Sequence, residues 1–281
     1  MPELTPIIAG WTARRMLDAD PGRLSASLDL GLTRIEIRRS DQTIRLPAGR
    51  AIDVGRLSKS FSAPEDCILL GENTLRKAYL YSEETGKYYK LYQPTEDVAP
   101  TVVIASATMH SIVDMMPWED AQKKTAALGG SRGTCLDTCF GLGYSAQLLF
   151  QNGFQSVVTC EVDRNVLRLA RVNPWSAPAF DTEEIDIYEG DVRTLLEETG
   201  ENSFDAIFHD PPTIRQAGEL YSEDIYRRFK NVLRSPGRLY HYVGSPGAGH
   251  GQDFSRGVMR RLQEAGFRNT ERRERGVIAT G

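Results

Sequence analysis

Four residues in the second half of the chain have the types and the spacing of a nucleotide-binding site. In the segment TCLDTCFGLGYSAQLLF an apolar stretch ends at Asp137, and a loop containing Gly141 and Gly143 follows it. Glycine lets a backbone turn sharply and approach a ligand closely, and free N–H groups at a helix start face the same place. Glu161 stands twenty residues after Gly141, where a carboxylate can accept hydrogen bonds from both ribose hydroxyls. The combination predicts a loop that binds a nucleoside-containing ligand.

Two further acidic residues follow later strand-like segments. Asp191 comes directly after Gly190, at a position where a short acid can accept a hydrogen bond from an adenine amino group. Asp210 opens the turn Asp-Pro-Pro, at the sheet edge where ligands bind in open α/β folds. A carboxylate held by two rigid prolines is a fixed acceptor for a proton, so Asp210 is the first candidate for a catalytic group.

The histidines offer general bases near the same edge. His209 and His241 end the fourth and fifth predicted strands, and we expect them to share the site as bases or orienting groups, with core packing as the alternative. Tyr221 either lines the same pocket or packs in the core. His110 and His250 lie in other segments. The spacings of histidine and cysteine match no metal-ligand motif, so no metal is predicted.

The elements that position these groups alternate between strand and helix from about Gly129 onward. Because the connections are short, this alternation predicts a parallel sheet with helices on both faces. Strands are predicted at Gly133–Asp137, Ser156–Glu161, Glu184–Tyr188, Phe204–His209 and Gly237–Val243. Helices are predicted at Tyr144–Asn152, Arg164–Val172, Val192–Glu198, Leu220–Leu233 and Phe254–Ala265, before a closing hairpin.

The first part of the chain has a different pattern. Short β-rich segments are separated by turn signals, and KAYLYSEETGKYYKLYQ reads as a hairpin with tyrosines on both arms. We therefore predict a smaller β-rich N-terminal domain over 1–95, a linker strand and helix over 96–128, and a Rossmann-type α/β domain over 129–281.

Composition excludes several classes of protein. With 40% hydrophobic and 26% charged residues, the chain is typical of a soluble globular protein. No apolar run approaches the length of a membrane span, and a cytoplasmic protein with four reduced cysteines is expected. A net charge of -4 supplies no broad surface for phosphates, which argues against DNA and favours a small-molecule acceptor over RNA.

The order of these motifs resembles a known family. The stretch LDTCFGLGYSA is similar to the nucleotide-binding loop of class I S-adenosylmethionine-dependent methyltransferases. Together with CEVDRNVLRLARVNPW, YEGDV, FHDPPT and GRLYHYVG, it resembles an uncharacterised, mainly archaeal branch of predicted methyltransferases. That branch also resembles spermidine synthases. The resemblance is specific over about Gly129–Gly281.

The resemblance implies S-adenosylmethionine as cofactor and gives a role to each motif. The loop after Asp137 would cradle the methionine part, Glu161 would bind the ribose, Asp191 would face the adenine, and Asp210 would lie beside the transferable group. The implied cofactor-binding residues are Asp137, Cys139, Gly141, Gly143, Glu161, Asp191 and Asp210.

Three positions depart from familiar patterns. Cys139 stands where the family has its first loop glycine, so this residue must avoid left-handed dihedral angles. Ala146 replaces the third glycine of a dinucleotide fingerprint, which disfavours NAD. Thr213 follows Asp-Pro-Pro where base methyltransferases usually carry an aromatic residue.

The expected activity is methyl transfer to an amine or other heteroatom of a small molecule or RNA, with Asp210, His209, His241 and Tyr221 as candidate catalytic residues. The alternative is an aminopropyl or aminocarboxypropyl transferase that uses the same type of cofactor. A third possibility is a protein that keeps the fold without catalysis. The exposed tyrosine-rich hairpin also makes a homo-oligomer plausible.

Overall fold

A computed structural model describes residues 5–130, 132–244 and 251–281. The chain divides into two compact units, Met1–Trp118 with Asn165–Ala177 and Glu119–Arg164 with Pro178–Gly281. The predicted domain limits stay a prediction. Within the described ranges, no helix is both long and apolar enough to cross a membrane. His250, one of the histidines considered above, lies outside the described residues.

The first unit is rich in short strands, as the sequence predicts. Among the described residues its strands form three sheets, one of three strands and two of four strands, and all neighbouring strands in them are antiparallel. Its strands are β1 (Ile7–Ala9), β2 (Gly22–Ala26), β3 (Ile35–Arg39), β4 (Thr43–Arg45), β5 (Ala51–Asp53), β6 (Cys67–Leu70), β7 (Leu75–Lys77), β8 (Tyr79–Ser82), β9 (Lys87–Tyr92), β10 (Thr101–Ile104) and β11 (Ala107–Thr108). The helices among its strands are α1 (Gly10–Asp18) and α2 (Val54–Ser58), with a 3-10 turn at Pro47–Gly49, and its later segment Asn165–Ala177 is mostly helical.

The predicted tyrosine hairpin is confirmed as β8 and β9. Successive side chains of a strand point to opposite faces, and β9 shows this alternation clearly. Tyr89 and Leu91 are buried, whereas Tyr88 is mostly exposed and its ring contacts, at a tilt, that of Tyr81 of β8, its cross-strand partner. One face of the hairpin therefore belongs to the core and the other faces water.

The rest of the chain alternates between helices and strands. The helices are α3 (Pro117–Leu128), α4 (Tyr144–Gln151), α5 (Arg164–Arg171), α6 (Ala177–Asp181), α7 (Val192–Glu198), α8 (Glu223–Val232) and α9 (Gly251–Glu264), with 3-10 turns at Pro174–Ser176 and Gly218–Tyr221. The strands are β12 (Thr134–Asp137), β13 (Ser156–Cys160), β14 (Ile185–Tyr188), β15 (Phe204–His209), β16 (Leu233–Tyr242), β17 (Asn269–Arg273) and β18 (Gly276–Thr280).

The last seven strands form one sheet in the order β14-β13-β12-β15-β16-β18-β17. Strands β12 to β16 run parallel, and β18 and β17 close the sheet in antiparallel fashion. The chain starts at the centre with β12 and then builds outward on both sides. The direction in which strands are added therefore changes between β12 and β15. In open α/β sheets, ligands bind at such a point, beyond the carboxyl ends of the strands.

The predicted parallel sheet is confirmed, but one helix begins later than the sequence suggests. The prediction placed it from Leu220, whereas α8 begins at Glu223 after a 3-10 turn. The Ser222 hydroxyl caps α8 by accepting from the Ile225 N–H at 3.3 Å, and Glu223 and Asp224 occupy the first turn. A serine cap and early acids stabilise a helix start at this point.

Candidate active site

The loop after β12 begins at a carboxylate that has no cationic partner among the described residues. Asp137 is fully buried, and its Oδ2 accepts from the hydroxyls of Ser145 at 2.8 Å and Thr159 at 3.0 Å. Its Oδ1 is buried without a hydrogen bond of ordinary geometry, although the Cys139 N–H faces the carboxylate. Burial raises the pKa of Asp137 to about 7, because these neutral donors only partly replace water.

A second carboxylate, Glu161, follows β13 and holds the glycine loop. Its Oε2 accepts from the Gly141 N–H at 2.9 Å, and its Oε1 accepts from the Asp163 N–H at 2.9 Å. Burial raises the pKa of Glu161 to about 7, against the opposing effect of these N–H donors. The structure therefore brings together the glycine loop and the acid that the sequence places twenty residues later.

The loop backbone depends on its two glycines. Gly141 and Gly143 have φ angles of +57° and +71°, which favour glycine. A Cβ on Gly143 would lie 2.6 Å from ring atoms of Phe140 and 2.9 Å from Ala179 Cβ, so packing alone requires glycine there. Cys139 is not among the described non-glycine residues with positive φ, as its side chain requires.

Asp191 has its own partners at the start of α7. Its Oδ1 accepts from the Arg193 N–H at 2.8 Å, and the Arg193 guanidinium reaches both carboxylate oxygens at 2.5 to 3.1 Å. Arg193 lowers the pKa of Asp191, mainly through this hydrogen bonding. Contact of Asp191 with an adenine stays a prediction, since both of its oxygens already accept hydrogen bonds.

The Asp-Pro-Pro turn places Asp210 beside a lysine that sequence reasoning missed. Lys124 Nζ lies 2.9 Å from Asp210 Oδ2 and 2.7 Å from Asp120 Oδ2. Asp210 Oδ1 has no hydrogen-bond partner among the described residues, and a quarter of this side chain is exposed. Burial raises the pKa of Asp210, and Lys124 opposes that effect. One oxygen of Asp210 is thus anchored while the other is free to accept.

Lys124 is a buried cation enclosed by acids and an aromatic ring. Its side chain is 7% exposed, and Nζ lies 3.7 Å from the centroid of the Tyr242 ring. Asp120 is also buried, with Arg275 Nη1 at 3.7 Å from its Oδ1. Burial lowers the pKa of Lys124, but the negative charges of Asp210 and Asp120 raise it by more, so the pKa lies above the ordinary value of a lysine. The ammonium group therefore stays charged.

The sequence did contain one signal for this lysine. Asp120 and Lys124 are four residues apart on α3, directly after Pro117, and this spacing places both side chains on one helix face. Pairs of this kind usually lie on solvated surfaces, where they contribute little. Only the packing of α3 reveals that this pair is buried.

His209 and His241 lie together in the interior. The Leu220 carbonyl accepts from His209 Nε2 at 2.9 Å, so His209 Nδ1 accepts from the Thr138 hydroxyl at 2.7 Å. Burial lowers the pKa of His209 to about 4 and that of His241 well below its ordinary value. His241 Nε2 shares a hydrogen bond with the Tyr226 hydroxyl, and the two imidazole rings are 4.4 Å apart. This geometry favours neutral histidines that hold neighbouring groups in place. A role of either histidine as a general base stays a prediction.

Tyr221 links this interior cluster to the Asp-Pro-Pro turn. Its hydroxyl donates to the Pro212 carbonyl at 2.9 Å, and its ring lies 5.1 Å from that of His241. The side chain is almost fully buried, and burial raises the pKa of Tyr221. A neutral phenol in this position fixes the turn that carries Asp210.

Known proteins match this chain over different spans. The family described as S-adenosyl-L-methionine-dependent methyltransferase matches residues 163–277. "Uncharacterized protein MJ1233" of Methanocaldococcus jannaschii is 35% identical over 275 residues, which are 95% of this chain and 92% of that protein. "Polyamine aminopropyltransferase" of Aeropyrum pernix is 27% identical over 123 residues, 42% of this chain and 36% of that protein.

A solved structure of similar fold is spermidine synthase from Thermotoga maritima. It aligns with a TM-score of 0.56 and 17% identity, over 74% of this chain and 75% of that chain. At this identity the likeness shows the fold alone. It confirms the predicted α/β class, with a Rossmann-like domain and a β-rich N-terminal region.

Proposed function

This chain belongs to the family of S-adenosyl-L-methionine-dependent methyltransferases, and we propose that it methylates an amine or other heteroatom of a small molecule or RNA. The cofactor when bound supplies an activated methyl carbon on a positively charged sulfur. What the protein must add is the placement of the acceptor and a destination for its proton.

The residues of the glycine loop suit this cofactor. Asp137 Oδ1 is a buried acceptor without a strong donor, and Glu161 is a carboxylate held at the loop by N–H groups. Carboxylates without a cationic partner complement a ligand that brings a sulfonium, an ammonium and two ribose hydroxyls. In this proposal Asp137, Cys139, Gly141 and Gly143 hold the methionine part, Glu161 holds the ribose, and Asp191 faces the adenine.

Asp210 is the proposed catalytic acceptor. Its Oδ2 is fixed by Lys124, and its Oδ1 is left to bind an N–H or O–H of the acceptor. As the new bond to carbon forms, the acceptor atom becomes more acidic, and the carboxylate takes its proton or stabilises the developing positive charge. Tyr221 keeps the turn in place through the Pro212 carbonyl. His209 and His241 pack behind it as neutral rings.

The ion pair between Lys124 and Asp210 is the observation that carries the choice of methyl transfer. A polyamine acceptor is a multiple cation, and it is held by unpaired acids. The Lys124 ammonium lies 2.9 Å from the Asp210 carboxylate and repels such an acceptor. Two of the three acids that follow in sequence are also paired, since Glu223 and Asp224 lie beside arginines one turn later on α8, which leaves Glu219 as the third, an exposed acid. The site favours a neutral or anionic acceptor.

A second candidate is transfer of an aminopropyl or aminocarboxypropyl group from the same type of cofactor. The match to the Aeropyrum pernix protein supports it, because that protein is named for aminopropyl transfer. The match covers less than half of either chain, and the acids described above weaken this candidate. Aminopropyl transfer differs from methyl transfer in its cofactor, which is decarboxylated S-adenosylmethionine. Aminocarboxypropyl transfer uses S-adenosylmethionine itself and differs in its product, which is 5′-methylthioadenosine instead of S-adenosylhomocysteine.

A reducing compartment such as the cytoplasm suits the proposed enzyme. All four cysteines are free, and Cys67, Cys135 and Cys160 are buried thiols. A small-molecule acceptor is favoured over RNA because the chain carries a net charge of -4.

Titration calorimetry with three compounds tests the proposal. S-adenosylmethionine and S-adenosylhomocysteine should both bind, and decarboxylated S-adenosylmethionine should bind at least about tenfold more weakly, because it lacks a carboxylate that backbone N–H groups can hold. Preference for the decarboxylated form would establish the aminopropyl alternative. Absence of binding by all three would remove the proposed function.

A further inference from the structure

A cavity in the first unit has a composition that the transferase chemistry does not use. It has a volume of about 520 Å³ and lies between the outward face of the β8–β10 sheet and the segment after α2. Its wall combines apolar residues with charged and aromatic ones, and the charged and exposed aromatic lining residues are Lys59, Lys77, Lys90, Asp66, Tyr79 and Tyr88. All of them belong to the first unit, so the cavity can be described from that unit alone.

The cavity carries an excess of positive charge. Asp66 is its one carboxylate in the lining, and it accepts from Lys77 Nζ at 2.7 Å and from the N–H groups of Ser62 and Ala63. Lys90 Nζ lies 3.9 Å from the same carboxylate. Lys59 makes no ion pair among the described residues. The lining therefore holds three lysines and one carboxylate, and two of these lysines, Lys77 and Lys90, lie near that carboxylate.

Tyrosine rings border the same space. Tyr79 and Tyr88 expose 56% and 61% of their surface, and both lie on the outward face of the hairpin. Lys90 is the cross-strand partner of Tyr79 and therefore lies on the same face of the hairpin, and its Nζ is 5.2 Å from the centroid of the Tyr92 ring. Exposed rings beside cations are the combination that stacks on a nucleobase while holding its phosphate.

We propose that this cavity binds a phosphorylated nucleotide, either free or as one unit of an RNA strand. Lys59, Lys77 and Lys90 hold the phosphate, and Tyr79 and Tyr88 stack on the base. The volume agrees with this ligand, since pockets for small molecules measure about 300–1,000 Å³. The site rests on the first unit only, so its failure would leave the proposed transferase function untouched.

Two pairs of matched variants test the proposal in the full chain. Lys59→Glu reverses a charge in the cavity, and Lys87→Glu makes the same change at an exposed residue of the same unit outside the lining. Tyr79→Ala removes a lining ring, and Leu32→Ala removes a half-exposed apolar side chain of the same unit that does not line the cavity. All four residues are surface residues, and circular dichroism should show the four variants folded.

The measurement is fluorescence titration with uridine monophosphate and with an oligouridylate of about ten nucleotides. Lys59→Glu and Tyr79→Ala should each weaken binding by about fivefold or more, whereas the two controls should change it less than about twofold. Binding of both probes indicates a site for a single nucleotide, and binding of the oligonucleotide alone identifies an RNA strand as the source.

Three outcomes would overturn the proposal. The first is that neither probe binds. The second is that both members of a matched pair weaken binding equally. The third is that no nucleotide binds and gel filtration shows a dimer that Tyr79→Ala separates, which would make the tyrosines a contact between two copies of the chain.

Discussion

Two sets of carboxylates in the second unit are built in opposite ways. Asp137 and Glu161, at the glycine loop, receive only hydroxyl and N–H donors, and burial raises both pKa values to about 7. Asp210, at the Asp-Pro-Pro turn, receives the ammonium group of Lys124, which opposes the effect of burial on its pKa. The first set lacks a counterion within the described residues, whereas Asp210 has one supplied by α3.

In the proposed function, this difference would let one sheet edge bind two ligands of different charge. A buried anion without a partner is costly, and a cationic ligand removes that cost when it binds. An anion that already has a lysine gains little from a second cation. We therefore propose that the glycine loop binds the positively charged cofactor and that the Asp-Pro-Pro turn binds an uncharged or anionic acceptor.

The largest expected effect follows from neutralising the acceptor side. Asp210→Asn should lower kcat by about 10²-fold or more, because the site loses its proton acceptor, and should leave cofactor affinity within about twofold. The assay is formation of S-adenosylhomocysteine with a panel of amines, nucleosides and transfer RNA. The control is Asp224→Asn on the exposed side of α8, which should keep full activity. Equal kcat in Asp210→Asn and the unaltered enzyme would contradict the role of Asp210.

Removing the counterion should affect stability as well as rate. Lys124→Met leaves two carboxylates without their buried cation and should lower the free energy of unfolding by about 3–5 kcal/mol, as measured by urea denaturation. Adding Asp120→Asn should recover part of this loss, since one uncompensated charge disappears.

A readout specific to positioning is the pH dependence of the rate. Without Lys124 the pKa of Asp210 rises, so the acidic limb of kcat/KM should move to higher pH, whereas Lys124→Arg should keep it near its original place. A loss of stability with an unchanged pH profile would limit Lys124 to a structural role.

A smaller effect on stability and kcat is expected at Tyr221, which contacts the Asp-Pro-Pro turn through the Pro212 carbonyl. Tyr221→Phe removes the hydrogen bond to the Pro212 carbonyl and should cost about 1 kcal/mol of stability, with a fall in kcat of less than about tenfold. Tyr81→Phe, at a half-exposed residue of the first unit, is the control and should change neither quantity. A fall in kcat as large as that of Asp210→Asn would instead give the Tyr221 hydroxyl a direct part in the reaction.

The glycine-loop half of the site was accessible from sequence because it is local. Asp137, Gly141 and Glu161 stand at fixed distances from strand ends, and a parallel sheet brings strand ends to one edge. The strand and helix pattern of the second half was predicted for the same reason, since periodicity and caps act over a few residues.

The part of the site around Asp210 could be predicted from the sequence only in part. Lys124 and Asp210 are 86 residues apart, and their contact depends on how α3 packs, which no local pattern encodes. The histidines were placed correctly at strand ends, but sequence does not show that His209 uses both ring nitrogens in the interior. Burial, and not residue type, decides their protonation.

If Asp137 and Glu161 bind the cationic cofactor as carboxylates, binding should release protons from them. Because folding raises both pKa values, their contribution to the stability of the free protein is greatest below about pH 4 and is lost as the pH rises through about 7. Cofactor binding favours the charged forms, so it should strengthen with pH over this window.

Calorimetric titration with S-adenosylmethionine at pH 7, in two buffers of different ionisation enthalpy, measures the protons released. Two groups with a pKa of about 7 hold about one proton between them, so we expect the release of about one proton, and about half of that in Glu161→Gln. Glu161→Gln should also weaken binding by about 1–3 kcal/mol, whereas Glu184→Gln, at an exposed residue, should not. Tight binding without proton release, together with an unchanged affinity in Glu161→Gln, would contradict the proposed role of Asp137 and Glu161.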